Sequence, residues 1–172
     1  MPIFISSMSD GNQARLKFNN YAIPCCIGKS GFTDRKQEGD GCTPIGTWPL
    51  RRVFYRPDRI EEPVTPLPLV PLTEIMGWSD DPTDKENYNR LVCIPHPFSH
   101  EVLWRADNMY DIVVELGYND GPRVLGAGSA IFLHIARPDF GATAGCIAIE
   151  KHFLLDVLKQ VENPEVMIVA GS

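Results

Sequence analysis

The sequence predicts a mainly β fold, with β-sandwich-like mixed sheets and one or two α-helices. Short runs rich in β-branched and aromatic residues recur along the chain, separated by Gly, Asn, Asp and Pro, which is the pattern of strands and turns. The middle third is too rich in proline for a helix interior. One segment, after residue 150, repeats apolar residues at helical spacing. We therefore expect a single domain spanning residues 1–172.

The first thirty residues predict a β-meander. Residues 2–6, 13–18 and 21–27 form its strands, and the segments "SDGN" and "NN" form its turns. The Asp-Gly pair in the first turn supplies the positive φ that a tight hairpin needs. The Gly, Asp and Thr content of residues 28–49 predicts a long ordered loop that runs into a short strand. Ordered loops of this length often carry function.

The remainder of the chain alternates between irregular and regular segments. Proline recurs between residues 56 and 97, which predicts an irregular excursion and not a second domain. The segments "YDIVVELGYN" and "SAIFLHIA" predict strands that are buried on one or both faces. An amphipathic helix is expected next, and "VMIVA" predicts a last strand. The helix prediction rests on the spacing of four apolar residues, Leu154, Val157, Leu158 and Val161.

Composition and charge exclude several classes of protein. A net charge of −6, with Lys and Arg scattered along the chain, argues against a nucleic-acid partner, because phosphate-binding surfaces show a basic excess. The longest apolar runs are far too short to span a bilayer. The N-terminal segment lacks a basic stretch followed by a continuous apolar run, so we expect no secretory signal there. Five cysteines leave at least one thiol unpaired. The expected oligomeric state is a monomer.

Two residues in the segment "IFLHIARPDFGATAGCIAI" are candidates for chemistry, His134 and Cys146. A nucleophilic cysteine needs a neighbouring base, because a free thiol is mostly protonated at neutral pH. If the two apolar runs form adjacent strands, the thiol can come within hydrogen-bonding distance of the imidazole. Each residue alone is more often an ordinary core residue. No Asp, Glu or Asn is fixed beside His134 by the sequence to orient its ring.

The segment "FLHIARPDFGATAGCIAI", preceded by "EGDGCTPIGTW", resembles the YkuD-type L,D-transpeptidase family. The signature of that family is a histidine, a variable stretch, then Ser or Thr, any residue and Gly-Cys, with an upstream Thr-Pro-x-Gly strand. The resemblance spans nearly the whole chain and implies the catalytic-domain fold of that family. It is strongest to a short, single-domain proteobacterial branch that shares "EGDG", "YNR", "GSAIFLH" and the Trp-Arg, Asp and Tyr-Asp residues of a stretch that reads "WRADNMYD" here.

Carried over by position, the resemblance implies roles for five residues. Cys146 would be the nucleophile and His134 its general base. The backbone carbonyl of Ile135 would orient the imidazole, which supplies the missing third partner. Gly145 would contribute to an oxyanion hole of backbone N–H groups, and Thr143 would assist through its hydroxyl or backbone. The upstream element is matched by Thr43, Pro44 and Gly46.

The resemblance also implies a reaction and its partners. The Cys146 thiolate would attack a carbonyl at an L-centre of a peptidoglycan stem peptide and release the distal portion, commonly D-Ala. An amine of diaminopimelate in a neighbouring stem would then resolve the thioester. Stem peptides are thus the expected acyl donor and acceptor, no cofactor or metal is expected, and the substrate implies a periplasmic location. Linkage at the third stem residue (3→3) and at the first (1→3) both stay open.

The sequence departs from the family pattern at three points. Ala144 stands where the commoner motif has a histidine, and Ala148 stands where it has Asn or Arg. The stretch between the histidine and the cysteine is also shorter. These departures bear on substrate geometry more than on the nucleophile.

A substrate that carries carboxylates and a free amine calls for both charge types in the site. The charged candidates are Arg90 of "YNR", Arg105 of "WRADNMYD", and Asp80 or Asp81 of "WSDDP", with Asp81 preferred. Tyr88 and Trp104 are candidates for lining the groove, as is Trp78. Each of these side chains has an alternative reading, the charges as an exposed loop network and the aromatic rings as core packing.

Alternative functions stay open beside transpeptidation. Water in place of an amine acceptor would make the chain an L,D-carboxypeptidase or endopeptidase. A buried, unreactive thiol would make it a non-catalytic peptidoglycan-binding domain. A zinc site at Cys93, His96 and His100 is disfavoured, because Pro95 and Pro97 break the helix that such ligands usually occupy. The "GAGS" segment lacks the third glycine of a dinucleotide loop and is expected to be a turn.

Overall fold

The computed structural model describes residues 2–7, 13–162, 165–168 and 170. The prediction of a mainly β fold is confirmed, and the described residues contain one α-helix. The elements are β1 (Ile3–Ser7), β2 (Gln13–Phe18), β3 (Tyr21–Cys26), β4 (Phe32–Thr33), β5 (Thr43–Pro44), β6 (Gly46–Tyr55), β7 (Leu69–Pro71), β8 (Met76–Ser79), β9 (Leu91–Cys93), β10 (His100–Val102), β11 (Ile112–Leu116), β12 (Phe132–Ile135), β13 (Ile147–Ile149), α1 (Lys151–Gln160) and β14 (Glu165–Ile168).

The main sheet closes on itself. Its strand order is β11-β12-β13-β3-β2-β1-β14-β6-β7, and β6 pairs with β11 as well. The sheet is mixed, because β12–β13, β1–β14 and β6–β7 are parallel pairs while the other pairs are antiparallel. The ten residues of β6 make this closure possible, since its first half pairs with β14 and its second half with β11.

The larger hydrophobic core lies on one face of the main sheet, where α1 packs. The predicted helix is present, and its Leu154, Val157 and Leu158 are buried in this core. Alternation along β12 sends Leu133 and Ile135 to the same core. The side chains of Phe132 and His134 therefore project from the opposite face of β12.

A second, smaller core covers that opposite face. Trp78 of β8 packs edge-on against Phe132 of β12 with ring centroids 5.2 Å apart, and against Phe54 of β6 with centroids 6.4 Å apart. Strands β10, β8 and β9 form the three-stranded sheet that carries Trp78 to this position. The small sheet thus forms a wall opposite the face of the main sheet that carries His134.

The structure departs from the predicted elements in the middle third. Residues 56–97 are irregular for the most part, as predicted, but they also contain the short strands β7, β8 and β9. Pro71 is tolerated because β7 lies at the edge of the main sheet, where one side needs no ladder donor. The predicted turn at residues 9–12 lies outside the described residues, as do residues 163 and 164 beyond the helix. Within the described part of the chain, no helix has the length and apolar character needed to cross a membrane.

Candidate active site

The register of two parallel strands places Cys146 and His134 on the same face of the main sheet. Leu133 pairs with Ile147 and His134 pairs with Ala148. Cys146 immediately precedes β13, so it lies opposite Phe132. Because side chains alternate along a strand, residues two apart share a face. The sequence expectation that these apolar runs are neighbours therefore agrees with the observed pairing.

A cavity of about 290 Å³ opens over this face and contains both residues in its lining. Three stretches of chain form most of its wall, around residues 36–39, 129–131 and 141–146. Thr143, Ala144, Gly145 and Ala148 all line it. The charged side chains of the lining are Lys36, Glu38, Asp80, Glu101 and Arg137, and Tyr110 adds a phenol ring.

The Cys146 thiol is held by backbone groups of the neighbouring strand. Its Sγ donates to the carbonyl oxygen of Ala130 at 3.1 Å and accepts from the N–H of Phe132 at 3.4 Å. Burial raises the pKa of the thiol to about 12, and the nearby Glu101 carboxylate acts in the same direction. The resting group is therefore a protonated thiol.

The imidazole of His134 is held in one tautomer. Its Nδ1 lies 2.9 Å from the carbonyl oxygen of Ile135, and a carbonyl can only accept, so Nδ1 carries the proton. Nε2 is thereby left with a free lone pair. Tyr110 packs edge-on against the ring with centroids 5.2 Å apart. Burial lowers the pKa of His134 to about 4, so the ring is neutral at pH 7.

No hydrogen bond joins Cys146 Sγ to the His134 ring in the described residues, because the thiol is turned toward Ala130. Ala130 adopts a left-handed conformation with φ of 51°. Asn89 supports it, since Oδ1 of Asn89 accepts from the Ala130 N–H and from Nε1 of Trp78, both at 3.0 Å. A non-glycine residue in this region is strained and needs such support. Asn89 of the "YNR" stretch thus shapes the site, which the sequence did not indicate.

Thr43 holds the loop before Cys146 in position through two hydrogen bonds of its hydroxyl. Its buried hydroxyl accepts from the N–H of Gly28 at 2.9 Å and donates to the carbonyl oxygen of Gly145 at 2.9 Å. Gly145 has φ of 146°, and a Cβ there would lie 2.8 Å from the carbonyl oxygen of Cys42. Both observations explain the need for glycine at this position.

Thr143 closes a tight turn around the same loop. Its Oγ1 accepts from the Gly145 N–H at 3.1 Å and donates to the carbonyl oxygen of Cys146 at 2.6 Å. Its own N–H donates to the carbonyl oxygen of Ile27 at 2.9 Å. The Gly145 N–H, expected as an oxyanion donor, therefore already has a partner inside the turn.

The structure does not bring the five expected substrate-binding residues into the lining of this cavity. Tyr88 is fully buried, and its hydroxyl donates to Glu38 at 2.5 Å and accepts from the Gly128 N–H at 3.0 Å. Glu38 is itself a lining residue, so Tyr88 supports the wall from behind. Arg90 is exposed and borders a different cavity, beside Trp78 and Arg123.

Arg105, Trp104 and Asp81 also have partners elsewhere. Arg105 forms an ion pair with Asp107 at 2.6 Å. The ring of Trp104 packs under the guanidinium of Arg56 at 3.6 Å. Asp81 accepts from the N–H of Thr83 at 2.9 Å and stabilises a turn. Of the two adjacent carboxylates considered in "WSDDP", it is Asp80 that lines the cavity.

Several lining residues had no individual signal in the sequence. Lys36 and Glu38 lie in the loop that was expected to be functional, and Tyr110 lies in "WRADNMYD". Arg137 stands between the two motif residues and could have been proposed from its position. Glu101 follows a proline-rich stretch in which the sequence predicts no strand, so its inward orientation could not be anticipated.

Of the three residues considered for a zinc site, His96 and His100 make hydrogen bonds to other groups of the protein. Nε2 of His96 lies 2.7 Å from Asp84, and Nδ1 of His100 lies 2.8 Å from the carbonyl oxygen of Phe98. Cys93 is exposed. Across the described ranges, no group of three or more His, Cys, Asp or Glu side chains is arranged to hold a metal ion.

Comparison with known proteins gives one family match. The family model of the L,D-transpeptidase catalytic domain, YkuD, matches residues 7–169. No curated protein sequence matches the chain.

Three solved structures are similar at low sequence identity. An L,D-transpeptidase from Mycobacterium smegmatis is 14% identical, with a TM-score of 0.41 over 98% of this chain and 58% of its own. The helical cell shape determining protein Pgp2 from Campylobacter jejuni is 16% identical, with a TM-score of 0.46 over 99% of this chain and 48% of its own. Bd1075 from Bdellovibrio bacteriovorus is 13% identical, with a TM-score of 0.43 over 97% of this chain and 47% of its own. This chain spans roughly half the length of these proteins.

Proposed function

This chain belongs to the YkuD family of L,D-transpeptidase catalytic domains, and on that premise we propose that it is a peptidoglycan L,D-transpeptidase with Cys146 as its nucleophile. The observation that carries the proposal is the position of Cys146 and His134. Both lie on one face of two paired parallel strands and line one cavity, with the histidine already in the tautomer of a base. This arrangement meets the needs of a cysteine acyltransferase.

Acylation begins from a neutral pair. The raised pKa of the thiol and the lowered pKa of the imidazole disfavour a resting thiolate–imidazolium pair. His134 Nε2 therefore takes the thiol proton as Sγ attacks the carbonyl of the donor stem peptide. The S–H group must first turn from the Ala130 carbonyl toward the imidazole. The protonated imidazole then gives its proton to the leaving amine.

The oxyanion of the tetrahedral intermediate needs N–H donors that are already in place. The carbonyl oxygen of Gly145 points to Thr43, and a trans peptide directs its C=O and N–H to opposite sides. The N–H of Cys146 is thus turned away from Thr43. Because the Gly145 N–H is engaged by Thr143, we assign oxyanion binding first to the N–H of Cys146.

The second half-reaction transfers the acyl group to an amine. The thioester carbonyl accepts attack by the diaminopimelate amine of another stem, the C–N bond forms and the C–S bond breaks. The thiol regains its proton through His134. The donor carbonyl belongs to the third or the first stem residue, which gives a 3→3 or a 1→3 linkage. The reaction on this substrate would take place in the periplasm, which subcellular fractionation tests.

Mass spectrometry of defined muropeptides incubated with the purified protein tests the proposal. We expect the native chain to produce cross-linked dimers whose fragmentation identifies the linkage, and Cys146→Ala to produce none. Cys93→Ala is the matched control, because Cys93 is exposed and lies outside the cavity. Trimmed monomers without dimers would show a carboxypeptidase. Full activity of Cys146→Ala would refute the enzyme proposal.

A further inference from the structure

Two carboxylates of the small sheet face the nucleophile across the cavity. Glu101 of β10 pairs with Trp78 of β8, and Asp80 lies two residues beyond Trp78. The backbone N–H of Asp80 donates to the carbonyl oxygen of Ser99, which continues this antiparallel pairing. Residues at these positions share one face of a sheet. That face packs through Trp78 on Phe132, the residue opposite Cys146, so both carboxylates line the wall beside the thiol.

The other charged groups of the cavity already have partners. Lys36 forms an ion pair with Asp40 at 2.5 Å. Glu38 accepts from the hydroxyls of Tyr88 and Ser129 at 2.5 Å and 2.7 Å. Arg137 lies near Asp139 at 3.4 Å and donates to the carbonyl oxygen of Ala142 at 3.2 Å. These pairs leave little net charge from Lys36 and Arg137 for a ligand.

Asp80 and Glu101 form no ion pair within the described residues, and they accept fewer hydrogen bonds than Glu38, which receives two from hydroxyls. Oδ1 of Asp80 is buried and makes no hydrogen bond in that part of the chain. Glu101 accepts one hydrogen bond, from the hydroxyl of Tyr110. Burial raises the pKa of Glu101, although the bond from Tyr110 opposes the shift. Arg105 acts on Glu101 only from beyond ion-pair distance and is itself paired with Asp107. Burying carboxylates without a cation in contact is costly, and an incoming ammonium would offset that cost.

We propose that Asp80 and Glu101 form an ammonium-binding wall that holds the amine acceptor beside the Cys146 thioester and so favours transpeptidation over hydrolysis. The inference rests on the proposed function. It specifies that the acyl acceptor binds at this wall through a positively charged ammonium group. Water can donate hydrogen bonds to the two carboxylates but brings no charge, whereas an acceptor ammonium donates hydrogen bonds and also supplies the positive charge that they lack. The wall therefore favours the amine over water as the acceptor of the acyl group.

The proton balance of this step is complete. The bound ammonium gives one proton to a carboxylate of the wall, from which it passes to solvent. The neutral amine then attacks the thioester carbonyl, the C–N bond forms and the C–S bond breaks. A second proton leaves the amine nitrogen through His134 and reaches the sulfur. The products are an amide, which keeps one N–H, and the free thiol of Cys146.

The test measures how the acyl-enzyme divides between amine and water. Wild type, Asp80→Asn and Glu101→Gln are loaded with a donor muropeptide, and the ratio of diaminopimelate amide to hydrolysed product is followed against the concentration of free diaminopimelate. Both substitutions keep the side-chain shape. We expect each to lower the ratio by about tenfold or more, because a hydrogen bond to a charged group is lost. The ratio describes how an acyl-enzyme already formed is divided between amine and water, so it does not depend on the acylation rate, which is measured separately for each variant.

Two controls make the outcome specific. Glu86→Gln removes one carboxylate that is exposed and lies outside the cavity, and it should leave the ratio unchanged. Hydroxylamine is largely uncharged at neutral pH, so its capture of the acyl-enzyme should be equal in wild type and both wall variants.

An unchanged amine-to-water ratio in both variants, with normal acylation, would overturn the proposed role of the wall and leave the proposed function standing. A loss of acylation with an unchanged ratio would also overturn it, by assigning the wall to the donor. Failure of wild type to form an acyl-enzyme would overturn both.

Discussion

The hydroxyl of Thr43 donates a 2.9 Å hydrogen bond to the carbonyl oxygen of Gly145, the residue before the candidate nucleophile. The hydroxyl oxygen of Thr43 also accepts a hydrogen bond from the N–H of Gly28 at 2.9 Å, and both bonds are buried. One side chain of β5 thus joins the end of the first β-meander to the loop that carries Cys146. It also fixes the direction of the Gly145–Cys146 peptide, on which the proposed oxyanion donor depends.

Removing that hydroxyl should cost both stability and acylation rate. Thr43→Val keeps the shape but leaves the Gly28 N–H and the Gly145 carbonyl unpaired, which we expect to cost about 1–3 kcal/mol of unfolding free energy. Thr43→Ser keeps the hydroxyl and should retain most of the rate. Urea denaturation and single-turnover acylation measure the two effects. Wild-type values for Thr43→Val in both assays would show that the bond is not needed.

Adding a single methyl group at Gly145 should displace the nucleophile. The Cβ of Gly145→Ala would lie 2.8 Å from the Cys42 carbonyl oxygen, at a φ of 146°. Gly31→Ala is the matched control, because Gly31 has φ of 80° but open space around its Cβ position. We expect both variants to be less stable and Gly145→Ala alone to lose acylation by more than about tenfold. Equal acylation rates would contradict the close packing around Gly145.

The reactivity of Cys146 toward a neutral alkylating agent should report its protonation state. With a thiol pKa of about 12, the thiolate fraction grows about tenfold per pH unit across the neutral and mildly alkaline range. Alkylation by iodoacetamide, quantified on the proteolytic peptide that contains Cys146, should rise steadily with pH and reach no plateau. A plateau that begins near neutral pH would indicate a preformed thiolate–imidazolium pair instead.

Protein stability should fall with acidification through the titration of His134. Its pKa is lowered from the ordinary value near 6.5 to about 4, so the unfolded chain binds the proton more tightly than the folded one. The stabilising contribution of the neutral ring is complete above about pH 6.5 and is lost between that pH and about pH 4, a change of roughly 3 kcal/mol. Chemical denaturation across this range should show the loss in wild type. The same slope in His134→Gln would assign it to other groups.

Much of the fold could be predicted because strand patterns and the helix are local. The apolar alternation of β1 to β3, the helix after residue 150 and the β-branched runs of β11 and β12 are all visible in short windows of sequence. Strands β8, β9 and β10 were missed, because each has only three or four residues and lies among prolines. Their pairing depends on contacts between segments, which no local pattern contains.

The candidate site could likewise be predicted from the sequence only in part. Cys146 and His134 could be identified from their motif and their spacing, and the register of β12 and β13 places them on one face as expected. The choice between Asp80 and Asp81 could not be made, because it depends on the side-chain parity of β8 relative to β10. Parity is fixed by strand pairing, and a shift of one residue would reverse which carboxylate faces the cavity.

Two of the three departures from the family motif, Ala144 and Ala148, lie at the site itself. Ala144 and Ala148 both line the cavity, and Ala148 is the strand neighbour of His134. The methyl side chain at each position leaves open the space that the polar groups of the commoner motif were expected to occupy. The small sheet contributes the carboxylates of Asp80 and Glu101 to the same lining, beside Lys36, Glu38 and Arg137 from other segments.

Intact-protein mass spectrometry can detect the thioester that we propose between Cys146 and the donor stem peptide. Wild-type protein mixed with a donor muropeptide and quenched in acid should gain the mass of the donor minus its leaving group. Proteolysis should locate the added mass on the peptide containing Cys146, and His134→Gln should acquire it much more slowly. An adduct on another cysteine, or an unchanged protein mass while product forms, would show that Cys146 is not the nucleophile.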